Sequence, residues 1–358
     1  MEQRRTMQES VKVSVIVPCR NERAAIIPFL DSLLNQELNG IDMEVLIADG
    51  MSNDGTREIL NDYRQQHPFL RIIDNPDRLT APGLNRAIQA ASGEIILRMD
   101  AHTEYAANYV RRCVDVLQQT GADNVGGPAL TRADGWFAKA IAAAYHSKFG
   151  CGGARFHDPA YEGYVDTVTY GCWWKSVFDR IGFFDESFVR NQDDEHNLRL
   201  TLAGGKVWQS PNIVSWYRPR TSLKSLFSQY FQYGFWKVFV IRKHETAASF
   251  RHFVPGLAVL GAMILSLATA CAMATGSHSV AGALGTLLLA LACAYAAMSI
   301  TASAMVRTEE WKTGAVLPVV FATYHASYGI GFLWGLLHVC MAPTGIKLYG
   351  SAVTRLTR

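Results

Sequence analysis

Acidic residues are almost missing from the second half of the chain: of 31 in 358 residues, only Glu245, Glu309 and Glu310 lie beyond Glu195. From Phe253 to Val306 charge of either sign is absent. One helix of that length would run about 80 Å, against about 30 Å for a bilayer core. The stretch must fold back, and Thr275-Gly276-Ser277-His278-Ser279 is the natural break, giving spans near 253–275 and 280–305. A second uncharged stretch, Thr313 to Ile346, predicts a third span near 314–341, tilted or broken at its Pro and Gly residues. A soluble core helix would explain any one of these segments but not three together.

Other absences narrow the class. There is no GxGxxG and no Gly-rich Lys-Ser/Thr loop, which removes support for dinucleotide and P-loop readings. No signal peptide is visible, since the first 12 residues are polar and basic and the apolar run 13–18 is short and strand-like. The 7 cysteines are odd in number and lack metal-type spacing, so they read as reduced thiols.

What is present is a basic stretch. Between His196 and His252 stand Arg199, Lys206, Arg218, Arg220, Lys224, Lys237, Arg242, Lys243 and Arg251, opposed only by Glu245. Such a stretch suits nucleic acid, anionic lipid or a phosphorylated ligand. Because it abuts the spans, nucleic acid drops out. Residues 218–243 mix these cations with Phe227, Tyr230, Phe231, Tyr233, Phe235, Trp236 and Phe239, which predicts an amphipathic interfacial helix. Arg242, Lys243 and Arg251 before the first span, with Arg307 and Lys312 after the second, put the N-terminal domain on the cytoplasmic side. Three spans would leave the C-terminus outside, although Lys347, Arg355 and Arg358 lie there. The last segment is therefore a span, a re-entrant segment or an interfacial one. The expected organisation is a cytoplasmic domain over 1–217, an interfacial segment over 218–252, a membrane domain over 253–346 and a tail over 347–358.

The N-terminal domain alternates strand and helix. Val13–Pro18, Glu44–Ala48, Leu70–Ile73 and Glu94–Met99 read as buried strands, with helical periodicity between them. That order predicts an α/β fold, a mostly parallel sheet with helices on both faces. Ligands of such sheets bind beyond the carboxyl ends of the strands. Polar clusters stand there: Arg20, Asn21 and Glu22, then Asp49 to Asp54, then Asp100 and His102. Helix caps and turns would account for any one cluster. Asp100 and His102 alternate in Met99-Asp100-Ala101-His102, so they share a face of an extended segment and suit one Mg²⁺ or Mn²⁺.

The segments VKVSVIVPCRNE (11–22), VLIADGMSNDGT (45–56), ASGEIILRMDAH (91–102) and NQDDEHNLRL (191–200) resemble, in order and spacing, the signature blocks of family 2 glycosyltransferases. The MDAH block and trailing spans are similar to bacterial exopolysaccharide enzymes of the succinoglycan type. The resemblance implies the GT-A fold, a Rossmann-like α/β domain, here with C-terminal transmembrane helices, and an inverting sugar transfer. It implies donor contacts by Pro18, Arg20, Glu22, Asp49, Asp54, Arg78, Asn85 and Asp100. It implies a divalent ion on Asp100 and His102, where His replaces a second carboxylate. It implies a catalytic base at Asp193, six residues before Arg199, with Asp194 the rival. Acceptor contacts are expected from Trp173 and Trp174, which read equally as core, and from Asp194, Gln232 and Trp236. Gln232-Tyr233-Gly234-Phe235-Trp236 resembles a QxxRW motif with Phe for Arg, which argues against a processive synthase.

The expected partners are a nucleotide-sugar donor such as UDP-glucose, a polyprenyl-diphosphate-linked saccharide, membrane lipids and other glycan-assembly proteins. Transfer to polyprenyl monophosphate, a processive synthase and a non-enzymatic nucleotide-sugar sensor are the competing readings.

Overall fold

The computed structural model describes residues 10–341. They form two compact units. One takes the chain up to Thr131 together with Asp158–Arg218; the other takes Arg132–His157 and the chain from Pro219 onward. A single boundary after residue 217 does not anticipate the excursion at 132–157.

In the first unit the expected alternation is present: β1 (Val11–Cys19), α1 (Ile26–Leu34), β2 (Ile41–Asp49), α2 (Thr56–Gln66), β3 (Leu70–Asp74), α3 (Thr80–Ala90) and β4 (Ile95–Arg98). Then come β5 (Glu104–Tyr105), α4 (Tyr109–Thr120), β6 (Asn124–Gly127) and β7 (Ala129–Thr131). In the second unit α5 (Trp136–His146) and α6 (Lys148–Cys151) follow, before the chain returns as β8 (Gly163–Tyr164), β9 (Thr169–Trp174), α7 (Ser176–Ile181), α8 (Gln192–Leu202), β10 (Val207–Gln209) and β11 (Ser215–Tyr217).

The main sheet runs β3-β2-β1-β4-β9-β6-β10-β8, and β5-β11-β7 form a small second sheet. Strands β1 to β4 are all parallel, while β9 enters antiparallel between β4 and β6. Both faces of the parallel half are covered, which is why its strands are continuous apolar runs. Val13, Val15 and Val17 point into one core with Phe29 and Leu33 of α1 and Tyr109 of α4. Ile16 points into the other with Leu84 and Ile88 of α3, Phe178 of α7 and Leu200 of α8.

The second unit continues with α9 (Leu223–His244), α10 (Val254–Ala274), α11 (His278–Met305) and α12 (Trp311–Met341). The segments Phe250–Ala274, His278–Met305 and Trp311–Met341 are long and apolar enough to cross a membrane, with mean hydropathies of 2.2, 2.0 and 1.3. The break between the first two falls at Gly276, whose φ of +73° is left-handed. The third is not broken: α12 runs continuously through Pro318.

Within the segment 218–252, expected to be interfacial, Gly234 to Val240 of α9 are buried in a row. Small residues allow this. Gly234 lies against the Tyr328 carbonyl and Gly331 against that of Phe231, and a Cβ at Gly335 would come within 2.8 Å of the Phe235 oxygen. Helices α9 and α12 thus approach backbone to backbone. Positions 347–358, with Lys347, Arg355 and Arg358, and the last residues of 253–346 lie outside the described residues.

Candidate active site

The loops beyond β1 and β2 are welded together. The Asn21 and Glu22 N–H groups donate to Ser52 Oγ and Thr56 Oγ1 at 2.9 and 2.8 Å. Asp54 accepts from Thr56 Oγ1 at 2.6 Å and from the Arg23 N–H at 3.2 Å. Desolvation would raise the Asp54 pKa, but the Thr56 and Arg23 bonds outweigh it and lower it. Arg20 Nη1 donates to the Arg78 carbonyl at 3.3 Å, which holds the Arg78 backbone beside Arg20 at this edge. Pro18, one residue before the end of β1, pairs with Ala48 and is half-buried beneath the same edge.

The backbone is strained here. Of six non-glycine residues with positive φ among those described, five border this edge: Asn21 (52°), Met51 (55°), Arg78 (59°), Tyr170 (67°) and Asn191 (60°). Each left-handed residue costs about 1–2 kcal/mol, and such strain clusters where chains converge on a ligand.

At the end of β4 stands a residue the motifs do not announce. Arg98 donates from Nε to Asp100 Oδ1 at 2.9 Å and from Nη2 to Oδ2 at 3.1 Å. Its Nη1 faces Asp193 Oδ2 at 4.0 Å, so the acid after β4 and the acid at the start of α8 share one guanidinium. Burial alone would lower the Arg98 pKa; Asp100 and then Asp193 overcome it and raise it. Asp193 is 40% exposed and accepts the Asp194 N–H at 2.9 Å. The Asp100 N–H donates to Tyr105 Oη at 2.7 Å, and Tyr170 Oη bonds Thr103 Oγ1 at 2.6 Å. Burial first, then the Asp100 charge, raises the Tyr170 pKa and keeps the phenol neutral. His102 is 51% exposed, with Nδ1 3.6 Å from Glu22 Oε1. The one signal for Arg98 in the sequence is a lone cation inside the apolar run of β4.

Several expected site residues do other work. Asp49 is fully buried, held by Arg57 Nη1 at 2.8 Å and Ser52 Oγ at 2.5 Å. Asn85 is spent on the backbone, its amide bonding both the carbonyl and the N–H of Phe184, at 2.8 and 3.0 Å, and Glu186 at 2.8 Å. Trp173, 1% exposed, is core among Phe178, Phe184 and His196. Trp174 pairs with Ile95, at the amino end of β4. Because β9 is antiparallel, Tyr170 near its start borders the polar edge, and its end runs away from it. Gln232 and Trp236 are buried in the second unit and offer no face to a sugar.

A mostly parallel sheet with helices on both faces and its acids gathered at the carboxyl edge is GT-A-like. Residues 14–180 match the family described as Glycosyl transferase family 2. The chain is 34% identical over 243 residues to the succinoglycan biosynthesis protein ExoA of Rhizobium meliloti, covering 67% of this chain and 73% of that protein. It is 29% identical over 240 residues to a Methanococcus voltae protein named dolichyl N-acetyl-alpha-D-glucosaminyl phosphate 3-beta-D-2,3-diacetamido-2,3-dideoxy-beta-D-glucuronosyltransferase, covering 64% and 74%. In fold it is like the mannosyltransferase PcManGT from Pyrobaculum calidifontis, solved in complex with GDP-Man and Mn²⁺. That likeness has a TM-score of 0.56 and 18% identity, over 90% of this chain and 87% of that one. The chain belongs to glycosyltransferase family 2 and is a glycosyltransferase.

Proposed function

We propose that the chain transfers one sugar from a nucleotide-diphosphate sugar, a UDP-sugar in the first instance, to a lipid-linked glycan at the cytoplasmic face of the membrane. The product serves exopolysaccharide or cell-surface glycan assembly. The observation that carries this reading is the meeting of Asp100 and Asp193 on Arg98.

In this reading Asp193, solvent-accessible at the start of α8, takes the proton of the acceptor hydroxyl as that oxygen attacks the anomeric carbon. The single displacement inverts the carbon, and no enzyme nucleophile is needed. Asp194 stands beside the base on the acceptor side. Arg20 and Arg78 offer cations to the donor phosphates, and Pro18 and Glu22 border the nucleoside. Asp100 and His102 suit Mg²⁺ or Mn²⁺ as two protein ligands, because such ions complete their shell with substrate phosphate and water. Among the described residues no third His, Cys, Asp or Glu joins a cage. When bound, the ion would neutralise charge on the departing diphosphate.

The lipid-linked acceptor draws support from the three apolar helices and from the dolichyl phosphate in the archaeal relative's name. Exopolysaccharide draws support from the name of the rhizobial relative. The test offers purified protein in detergent a panel of nucleotide sugars, with Mg²⁺ or Mn²⁺ and a lipid-linked acceptor extract. The expected outcome is nucleoside diphosphate release with one donor and a lipid-borne product lengthened by one inverted sugar. A retained anomer, a long polymer or a sugar on polyprenyl monophosphate would each replace this reading.

A further inference from the structure

We propose that Arg98 is a resident cation joining Asp100 to Asp193, and that it makes uptake of a divalent ion depend on the donor's diphosphate. The proposal rests on the reading of Asp100 as ion ligand and Asp193 as base.

Arg98 is 7% exposed, so its guanidinium has given up water and needs carboxylate in return. Two nitrogens obtain it, fork to fork, from Asp100. The third, Nη1, is buried without a hydrogen-bond partner, and its 4.0 Å to Asp193 is beyond hydrogen-bond length. The pair to Asp100 is closed and the pair to Asp193 stands one short movement open.

Charge follows from this arrangement. Asp100 is already neutralised by Arg98, and His102 stands where a second carboxylate would add negative charge. A divalent ion arriving alone meets a carboxylate already paired, with a guanidinium about 3 Å away whose like charge repels it, while the remaining negative charge sits on Asp193 across Arg98 and on Glu22 beside His102. Each Asp100 oxygen keeps a further lone pair, so ligation is open, but its electrostatic attraction is mostly spent. A diphosphate brings the missing negative charge with it. As Asp100 then turns part of its charge to the ion, Nη1 remains for Asp193, and closing that bond sets the base only when donor is loaded.

Equilibrium dialysis of the full chain in detergent against Mn²⁺ alone tests this without any donor. Arg98→Gln should bind Mn²⁺ on the order of tenfold more tightly than wild type, and Arg98→Lys, which keeps the charge, should not. Equal or weaker binding by Arg98→Gln overturns the proposal. Wild type alone gives a second reading that no misfolded variant can spoil: inorganic pyrophosphate should raise retained Mn²⁺ by about tenfold or more. Unchanged retention overturns the coupling. With the donor identified by the panel, Arg98→Lys should lower kcat by at least about tenfold while donor KM stays within about threefold. A proportional rise in KM would reduce Arg98 to structure. Failure of the panel would sink the donor assignment and leave the Mn²⁺ result standing.

Discussion

The two compact units treat the same residue types in opposite ways. In the first, Leu46 of β2 is fully buried within the chain's own core; in the second, Leu267 of α10 is 67% exposed, with Met263, Leu289 and Ile300 similarly placed. Water would not tolerate such a face, while a bilayer would. The first unit keeps its apolar groups inside and its polar groups at one sheet edge. The second turns apolar groups outward and packs α9 on α12 through glycine.

The largest expected effect belongs to the polar edge. Asp193→Asn should lower turnover by about 10²–10⁴-fold while nucleotide affinity and thermal unfolding stay as in wild type, read by product release and a melting curve. Comparable turnover by this variant would take Asp193 out of the mechanism. A matched pair then sharpens the contrast between the units. Leu46→Ala should cost about 2–5 kcal/mol by leaving a cavity in the sheet core, whereas Leu267→Ala should change denaturant stability in detergent by less than about 0.5 kcal/mol. Similar losses at both positions would mean that α10 packs against protein, not lipid.

Smaller still is Asn85→Ala, which leaves the buried Phe184 N–H and carbonyl unpaired at about 1–3 kcal/mol. Its melting temperature should fall with donor KM unchanged; a raised KM would return Asn85 to the donor site. An effect seen only on acidification arises from a histidine of the second unit. Burial first, then His146 and Arg251, hold His157 down from 6.5 to about 3, and its Nδ1 is buried without a hydrogen bond. The unfolded chain takes the proton first as pH falls. Stability is therefore full above about 6.5 and declines toward about 3. His157→Gln should flatten that slope in a pH series of unfolding curves.

The parallel half of the sheet was legible because its signals are local. Val13 to Val17 (apolar but for Ser14), Val45 to Ala48 and Ile95 to Leu97 are short runs ended by Pro18, Asp49 and Arg98. The Gly276 break was equally local. Strands β5 to β11 were harder, since most have two to four residues and obtain their pairing from distant segments. The site divided in the same way. Asp100, His102 and Asp193 are candidates by position in a motif, whereas the choice between core and acceptor side for Trp173 and Trp174 stays open in the sequence because nothing nearby reports the direction of β9. Arg98 went unmarked because its meaning lies in Asp193, far along the chain.

By itself, then, the sequence determined the alternation of strand and helix, the three apolar helices and the order of the polar strand ends. These depend on side-chain periodicity and on the free energy of moving each residue out of water, both local quantities. Only the tertiary structure decided which polar side chains reach outward and which are consumed as internal struts. Asp49 is claimed by Arg57, Asn85 by Phe184, and Arg98 by two acids at once. A hydrogen bond or ion pair exists only where two groups meet at about 3 Å, and residues far apart in the chain meet only once it has folded.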